Sequence, residues 1–367
     1  MSDRYDQVIN QLARAGLRPP KMLTLSITNG CNLFCGHCWP DSHSHKIAPP
    51  VPEKILKKLI REFAGFGGES LIITGGEPLT HPHWLEITAF SCRTPGIRSV
   101  CLQTNATLLT EAEVSTLESV DFVGNLSIQV SLDGATAKSH DRIRGSGSFD
   151  CTMRGLNLLA GSNLRDRTDV AFTEFRHNFK EIPHLFELMN DYRFRRVVTS
   201  TLVQVGRAAD ADGLAPPIPS QYRELLRKYH LDACFRARYE RMGSIAAIEW
   251  YKGKTIPSRR GCVLIEKPYM TADGKMYPCV MFQADEFAAR GFHEQPFDNA
   301  LAEMIPLWAE LQKDSRKRVL RLRKCVRCSG RLHCAGGCMG RAYLAHRDVL
   351  SVEDRCSLRK AVYAWEA

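Results

Sequence analysis

The chain has 367 residues and a formal net charge of +10, and 14 of its residues are cysteines. This length favours two domains over one. No run of about 18 apolar residues occurs, and residues 1–20 carry charged side chains in place of an apolar signal core. These features argue against a membrane protein and a secreted one. We therefore expect a soluble, cytoplasmic protein whose cysteines stay reduced and serve metal binding or catalysis.

Much of the positive charge lies in residues 313–324, which contain seven lysines and arginines. We interpret this segment as the solvated face of a helix, because aromatic residues do not alternate with the cations as they do in nucleic-acid-binding surfaces. The sequence therefore disfavours a nucleic-acid partner.

From Lys21 to Gln204, short β-branched runs alternate with amphipathic stretches, a pattern typical of βα units around a parallel sheet. The pattern predicts six strands at residues 23–29, 71–74, 99–105, 126–132, 168–175 and 196–204. Helices are predicted between them at residues 52–66, 83–92, 111–119, 149–161 and 179–192. Six units favour an open sheet over a closed eight-stranded barrel, so the predicted fold class is α/β with a partial (βα)6 barrel.

The alternation ends at residues 210–220, where one glycine and three prolines predict a linker. Residues 221–242 are predicted to form one or two helices, and from Gly261 the sequence is rich in cysteine and short of long periodic elements. We expect a loop-rich, two-cluster domain there, stabilised by its clusters. The predicted organisation is an extension at 1–20, the barrel at 21–209, a linker with bridging helices at 210–260, and the cysteine-rich domain at 261–367.

Three cysteines, Cys31, Cys35 and Cys38, lie within eight residues directly after the first predicted strand. Loops at the carboxyl ends of parallel strands are where such sheets bind ligands. Three thiolates can hold three irons of a cubane cluster and leave the fourth iron open, whereas structural zinc needs four protein ligands. The motif therefore favours a cluster. Zinc remains the alternative, with a histidine as its fourth ligand: His37, His43 or His45.

The spacing of these three cysteines resembles the signature of the radical S-adenosylmethionine (AdoMet) superfamily. This resemblance implies a [4Fe-4S] cluster whose open iron binds the amino and carboxylate groups of AdoMet. It also implies that His37 stands where the family often has an aromatic ring near the adenine.

A second motif ends the second predicted strand and consists of Gly75, Gly76, Glu77 and Pro78. Two glycines allow the backbone to approach a ligand closely, and a carboxylate with exposed carbonyls can accept hydrogen bonds from an ammonium group. In the family that the cysteines resemble, this motif contacts the methionine amine.

Polar residues at further strand ends fit the same resemblance. By it, Gln103 or Asn105 would contact the ribose of AdoMet, and Ser131 with Arg144 would hold the carboxylate. The segment Val205, Gly206 and Arg207, after the sixth predicted strand, resembles the edge that contacts the adenine, and Gly206 is the predicted contact.

A second set of seven cysteines lies near the C-terminal end: Cys262, Cys279, Cys325, Cys328, Cys334, Cys338 and Cys356. Seven are too many for one mononuclear site. Two zinc sites remain an alternative if a histidine such as His333 or His346 contributes.

The spacing of the seven cysteines resembles the SPASM domain, which extends many peptide-modifying radical enzymes. That resemblance implies an outer auxiliary cluster on Cys325, Cys328, Cys334 and Cys356. It implies an inner auxiliary cluster on Cys262, Cys279 and Cys338, whose fourth position is left to Cys234 or to the substrate.

Together the two resemblances imply a radical AdoMet enzyme of oxidoreductase type with three [4Fe-4S] clusters. Its expected substrate is a ribosomally made peptide that becomes crosslinked or oxidised. Its expected partners are a small electron donor of the flavodoxin or ferredoxin type and a separate leader-binding protein.

The alternative functions are modification of a tetrapyrrole side chain in haem synthesis and a non-catalytic iron-sulfur electron carrier. Sulfatase maturation is disfavoured because Val280, not an aspartate base, follows Cys279. The sequence does not identify a catalytic acid or base.

Overall fold

One sheet organises the chain. A computed structural model describes residues 2–42, 49–120, 125–257 and 261–366. The strands of these residues are β1 (Met22–Ser26), β2 (Ser70–Thr74), β3 (Ser99–Thr104), β4 (Asn125–Ser131), β5 (Thr168–Glu174), β6 (Arg196–Thr201), β7 (Gly243–Ser244), β8 (Tyr269–Met270) and β9 (Met276–Tyr277). Their helices are α1 (Ser2–Arg14), α2 (Glu53–Gly65), α3 (Trp84–Arg93), α4 (Glu111–Ser119), α5 (Ala137–Arg144), α6 (Ser148–Ala160), α7 (Ile182–Asp191), α8 (Arg207–Asp210), α9 (Pro219–Leu231), α10 (Ala233–Met242), α11 (Ala246–Lys252), α12 (Phe297–Arg321), α13 (Arg331–Cys334), α14 (Met339–His346) and α15 (Cys356–Tyr363).

The strands β1 to β6 lie side by side in chain order, and each neighbouring pair is parallel. Leu25 pairs with Ile73, and Leu102 pairs with Ile128. These four side chains are buried between the sheet and its covering helices, as expected of a parallel sheet. The prediction of an α/β partial barrel with six βα units is confirmed.

Three short strands extend the sheet and were not predicted. β7 lies parallel to β6, β8 lies parallel to β1, and β9 pairs antiparallel with β8. Each has only 2 residues, too few to produce a periodic signal in the sequence. Because Thr24 pairs with Tyr269, the cysteine-rich region joins the sheet beside the strand that precedes the first cysteine loop.

The long helix α12 corrects the expectation that the cysteine-rich region lacks long periodic elements. It has 25 residues, and Phe297, Leu301, Ile305 and Trp308 form a buried stripe at four- and three-residue spacing. Pro306 lies inside the helix. An internal proline costs about 3 kcal/mol, and burial of the neighbouring apolar side chains offsets that cost.

Two further helices refine the predicted boundaries. Residues 1–20, expected only as an extension, contain α1, which packs along α12 and buries Val8 and Leu12. The segment 221–242 forms two helices because the Asp232 side chain accepts a hydrogen bond from the Phe235 N–H (2.9 Å) and so begins α10. Within the described ranges, no helix is long and apolar enough to cross a membrane.

Candidate functional site: a cavity at the carboxyl edge of the sheet

The loop with Cys31, Cys35 and Cys38 leaves the carboxyl end of β1, as predicted from its position in the sequence. Backbone hydrogen bonds fix it to the barrel, since the Gly36 N–H donates to the Ile143 carbonyl oxygen (2.8 Å). Cys35 is buried, and Cys31 and Cys38 are partly exposed. Burial raises the pKa of the Cys31 thiol to about 12. A thiol in such a site loses its proton when a metal binds it.

Arg207 holds the far side of this loop. Its Nε donates to the Cys35 carbonyl oxygen (2.9 Å), Nη1 donates to an Asp41 carboxylate oxygen (2.8 Å), and Nη2 donates to the Ser42 carbonyl oxygen (3.0 Å). The guanidinium also lies over the Phe34 ring, 4.0 Å from its centroid. Arg207 therefore fixes the backbone on both sides of Cys38.

Gly75 and Gly76 lie directly against the chain that leads into the cysteine loop. A Cβ atom on Gly75 would lie 2.7 Å from the Thr28 carbonyl oxygen, and one on Gly76 would lie 2.2 Å from the Gly30 carbonyl oxygen. The close approach permits hydrogen bonds from the Gly76 N–H to Thr28 and from the Glu77 N–H to Gly30, both 2.8 Å. Only glycine fits these two positions.

Three donors from the chain already hold the Glu77 carboxylate. Oε1 accepts hydrogen bonds from the Thr104 hydroxyl (2.7 Å) and the Leu79 N–H (3.2 Å), and Oε2 accepts one from the Asn105 N–H (2.7 Å). Burial raises the pKa of Glu77 to about 7 despite these donors. The carboxylate thus joins the ends of β2 and β3 as well as lining the cavity between them.

The cavity above these strand ends has a volume of about 250 Å³. Its lining contains all three N-terminal cysteines and eight of the ten residues predicted to contact AdoMet: His37, Gly75, Gly76, Glu77, Gln103, Asn105, Ser131 and Arg144. The other two, Pro78 and Gly206, are not among the lining residues. Pro78 begins a 3-10 turn, and a Cβ on Gly206 would lie 2.4 Å from the Trp39 carbonyl oxygen. Gly206 therefore supports the cysteine loop from behind.

Asp133 organises the charged wall of the cavity. Its Oδ2 accepts a hydrogen bond from Arg144 Nε (2.7 Å), and its Oδ1 accepts one from the Thr173 N–H (2.7 Å). Burial opposes ionisation of Asp133, but Arg144, the Thr173 N–H and the neighbouring histidines together outweigh burial and keep the pKa of this carboxyl below its ordinary value. His37 Nε2 lies 3.5 Å from the same carboxylate, and burial lowers the pKa of His37 to about 4. His37 is therefore neutral near pH 7.

Several lining residues were not predicted. Trp39 and Gln129 come from the barrel, and the sequence offered only their positions beside predicted contacts. Tyr269, Val280 and Gln283 come from the cysteine-rich region, and Val280 directly follows Cys279. The C-terminal region therefore closes one side of the cavity.

The C-terminal cysteines surround two further cavities. Cys325, Cys328, Cys334 and Cys356 line one together with Glu353 and Arg359. Cys262 and Cys338 line another, about 330 Å³ in volume, and Cys334 lines both cavities. Burial, followed by the neighbouring Cys262 and Cys338 thiols, raises the pKa of Cys279 well above its ordinary value, so Cys279 belongs with this second set. The two groups correspond to the predicted outer and inner sets.

The residues considered as additional ligands lie elsewhere. Cys234 is exposed on α10 and does not line the inner cavity. Neither His333 nor His346 lines either cavity, and His333 Nδ1 contacts the Ile256 carbonyl oxygen (2.8 Å). His43 and His45 lie outside the described residues. In the ranges that the structure describes, no three His, Cys, Asp or Glu side chains are arranged to hold a single metal ion.

The parallel barrel and a cysteine-lined cavity at its carboxyl edge are the features of a radical AdoMet enzyme, and the comparisons agree. Residues 25–189, which include Cys31, Cys35 and Cys38, match the Radical SAM superfamily model, and this domain together with the enzyme-named relatives supports a radical SAM enzyme.

Two curated relatives and one solved structure are similar to this chain. It is 29% identical over 359 residues to the AdoMet-dependent heme synthase of Methanosarcina barkeri, covering 93% of this chain and 97% of that protein. It is 32% identical over 227 residues to the mycofactocin maturase MftC of Mycobacterium tuberculosis, covering 61% and 55%. Streptococcus suis SuiB bound to its precursor peptide SuiA has the same fold (TM-score 0.73, 16% identity, 95% of this chain and 78% of that one).

Proposed function

We propose that Cys31, Cys35 and Cys38 hold a [4Fe-4S] cluster and that AdoMet occupies the cavity beside it. The observation that carries this proposal is the convergence of these thiols, the Gly75-Gly76 turn and Arg144 on one cavity. When bound, the reduced cluster supplies one electron to the AdoMet sulfonium, which yields methionine and a 5'-deoxyadenosyl radical that abstracts hydrogen from the substrate.

The chain's own groups would bind and orient AdoMet. The carbonyl groups at Gly75 and Gly76 would accept hydrogen bonds from the methionine ammonium, with Glu77 holding their turn in place. Arg144 is buried, and its Nε donates a hydrogen bond to Asp133. Its terminal N–H groups would then donate to the methionine carboxylate. Ser131, Gln103 and Asn105 would hydrogen-bond the ribose and carboxylate oxygens. The neutral imidazole of His37 suits the edge of an adenine.

Two auxiliary [4Fe-4S] clusters complete the proposal. The outer one would be held by Cys325, Cys328, Cys334 and Cys356, and the inner one by Cys262, Cys279 and Cys338 with one iron free of cysteine. Support for this division comes from six of the seven thiols, which line two cavities, and from Cys279, whose neighbours are Cys262 and Cys338. Reduction would come from a small flavodoxin- or ferredoxin-type donor.

For the substrate, we propose a carboxylate-bearing iron tetrapyrrole. Support comes from the heme synthase relative, whose similarity extends over 93% of this chain and thus includes the cysteine-rich region as well as the barrel. The surplus of positive charge, +10 in total, suits an anionic substrate. A propionate side chain would enter the cavity between the barrel and residues Tyr269, Val280 and Gln283.

A ribosomally made peptide is the second candidate, favoured by the similarity to the maturase MftC. It is the substrate that the cysteine pattern led us to expect. In that case a separate leader-binding protein would deliver the peptide to the same cavity.

The test begins with anaerobic reconstitution and reduction in the presence of AdoMet, followed by measurement of 5'-deoxyadenosine. We expect product from the wild-type chain and none from a Cys35→Ala variant. Equal yields from the two would overturn the enzymatic proposal.

To test the substrate, iron coproporphyrin III is then added to the same reaction. Formation of 5'-deoxyadenosine should rise with it, and mass spectrometry should detect an altered side chain. A response to a co-encoded precursor peptide, and none to the porphyrin, would transfer the assignment to the peptide.

A further inference from the structure

The C-terminal end of α12 lies against segments that carry both sets of C-terminal cysteines. Ser315 and Arg318 are three residues apart on one face of α12, and Leu322 directly follows the last residue of this helix. The Ser315 hydroxyl accepts a hydrogen bond from the Cys262 N–H (2.5 Å), and the Leu322 side chain lies 2.5 Å from where a Cβ on Gly336 would be. Arg318 stands between them and is only 2% exposed. The expectation that residues 313–324 form a solvated face is therefore wrong for Arg318, although the other six cations are exposed.

Arg318 holds the turn between Cys334 and Cys338. Its Nη1 donates to the Gly337 carbonyl oxygen (2.9 Å), and its Nη2 donates to those of Gly336 (3.0 Å) and Ser351 (2.5 Å). The three residues 335–337 all have left-handed backbone, with φ of 49°, 86° and 75°. The guanidinium thus fixes an unusual turn whose two ends belong to the outer and the inner cysteine sets.

The Nε donor of Arg318 is not used in these hydrogen bonds. Arg318 Nε is buried and has no hydrogen-bond partner among the described residues. Arg318 also lines the cavity that contains Cys262 and Cys338. An unsatisfied buried donor costs about 1–3 kcal/mol, and more when it is charged, so native structures rarely leave one without an acceptor. Among the acceptors that this cavity offers are the sulfurs of Cys262 and Cys338 and, when a cluster is bound, its inorganic sulfides.

We propose that the Arg318 Nε–H donates a hydrogen bond to a sulfur of the inner auxiliary cluster and raises its reduction potential. The inference rests on the auxiliary clusters proposed above. Reduction adds negative charge to a cluster, and a buried cation with a hydrogen bond to sulfur stabilises the reduced form. Arg318 is thus a positioning residue that fixes the turn between two ligand sets and tunes one of the two clusters.

The experiment uses full-length protein in which Cys31, Cys35 and Cys38 are replaced by alanine, so that only the auxiliary clusters contribute to the spectra. In this background, Arg318→Gln removes the charge and the Nε donor, and Arg318→Lys keeps the charge without the guanidinium. Lys317→Gln is the matched control, since it removes one exposed cation from the adjacent position of α12. Midpoint potentials are measured by anaerobic redox titration followed by electron paramagnetic resonance, with iron counted per chain.

We expect Arg318→Gln to shift the one-electron reduction equilibrium of the inner cluster at least tenfold towards the oxidised form, which is about 59 mV. Arg318→Lys should lie between this variant and the parent, and Lys317→Gln should leave the potential unchanged. Full iron content with an unchanged potential in Arg318→Gln would overturn the inference, as would a wild-type potential in Arg318→Lys.

A second measurement needs no variant. With ¹⁵N-labelled arginine in the protein, a hydrogen bond to sulfur should give a ¹⁵N hyperfine coupling to the reduced cluster, and absence of any such coupling would also overturn the inference. Fewer than about eight irons per chain in the alanine background would instead contradict the two auxiliary clusters themselves, which separates failure of the proposed function from failure of the role of Arg318.

Discussion

The N-terminal and C-terminal cysteine regions are held in place by different interactions. In the N-terminal loop the cysteines are close in sequence, and backbone hydrogen bonds from Gly36 and Gly76 attach the loop to the barrel. In the C-terminal region the cysteines come from segments far apart in the chain. Buried charged side chains, above all Arg318 and Glu353, join those segments. A loop at a strand end is held in place by its hydrogen bonds to the sheet. A site assembled from separate segments instead needs side-chain contacts that join those segments.

This difference predicts that loss of one buried charge will damage the C-terminal region most. Glu353 is 2% exposed, and its carboxylate accepts hydrogen bonds from the Cys338 N–H (2.8 Å), from Arg355 (2.9 Å) and from Arg359. Glu353→Gln would leave two arginines without their buried counter-charge. We expect the free energy of unfolding to fall by about 3–5 kcal/mol, with loss of iron from the C-terminal cysteines. Denaturant unfolding and iron analysis measure both effects.

Glu310→Gln serves as the control for this variant. Glu310 lies on the exposed face of α12 and pairs with Lys313 (2.6 Å). Exposed pairs contribute little to stability, so this change should leave unfolding and iron content close to wild type. If Glu353→Gln is no less stable than Glu310→Gln, buried charge does not hold the C-terminal cysteines together.

The complementary prediction concerns the backbone of the N-terminal site. Gly76→Ala would bring a methyl group to within 2.2 Å of the Gly30 carbonyl oxygen and push away the chain that leads to Cys31. We expect a loss of about 1–3 kcal/mol in stability and at least a tenfold weaker affinity for AdoMet, measured by equilibrium dialysis of the reconstituted protein. Iron at the C-terminal cysteines should not change.

Gly161→Ala is the matched control, because the nearest atom to its added methyl group would be 3.6 Å away and its backbone is right-handed. It should bind AdoMet as the wild type does. An equally weak affinity in both variants would mean that the close approach of Gly76 to Gly30 is not what shapes the AdoMet site.

Much of the barrel could be predicted from sequence because each strand carries its own signal. The strands β1 to β6 are long enough for an apolar pattern to emerge between turn residues. β8 could not be predicted in this way, since its two residues form a strand only because Tyr269 pairs with Thr24, far away in the chain. Tertiary pairing, and not local preference, decides such elements.

The same limit applies to the site. Its cysteines and glycines were predicted because each has a chemical or steric role that spacing reveals. Arg318 looked like its neighbours in residues 313–324, and only the carbonyl groups of Gly336, Gly337 and Ser351 distinguish it. Arg207 lies in the segment that resembles the adenine edge, but its role in holding the cysteine loop was missed, because its partners belong to a loop about 170 residues earlier. Side chains that act through distant backbone groups leave no local pattern.

The smallest effect that we predict is at Arg207, which holds the N-terminal loop through three side-chain hydrogen bonds. Arg207→Gln would remove the hydrogen bonds to Cys35, Asp41 and Ser42, but Asp41 is partly exposed and can turn to water. The loop also keeps its backbone hydrogen bonds to the barrel. We therefore expect a loss of about 1.5 kcal/mol and faster release of iron from the N-terminal site to a chelator, with the C-terminal iron unaffected. Arg165→Gln, which removes an exposed pair with Asp166, is the control. An Arg207→Gln variant that loses more stability than Glu353→Gln would reverse the comparison, because the N-terminal loop would then depend on charge more than the C-terminal region does.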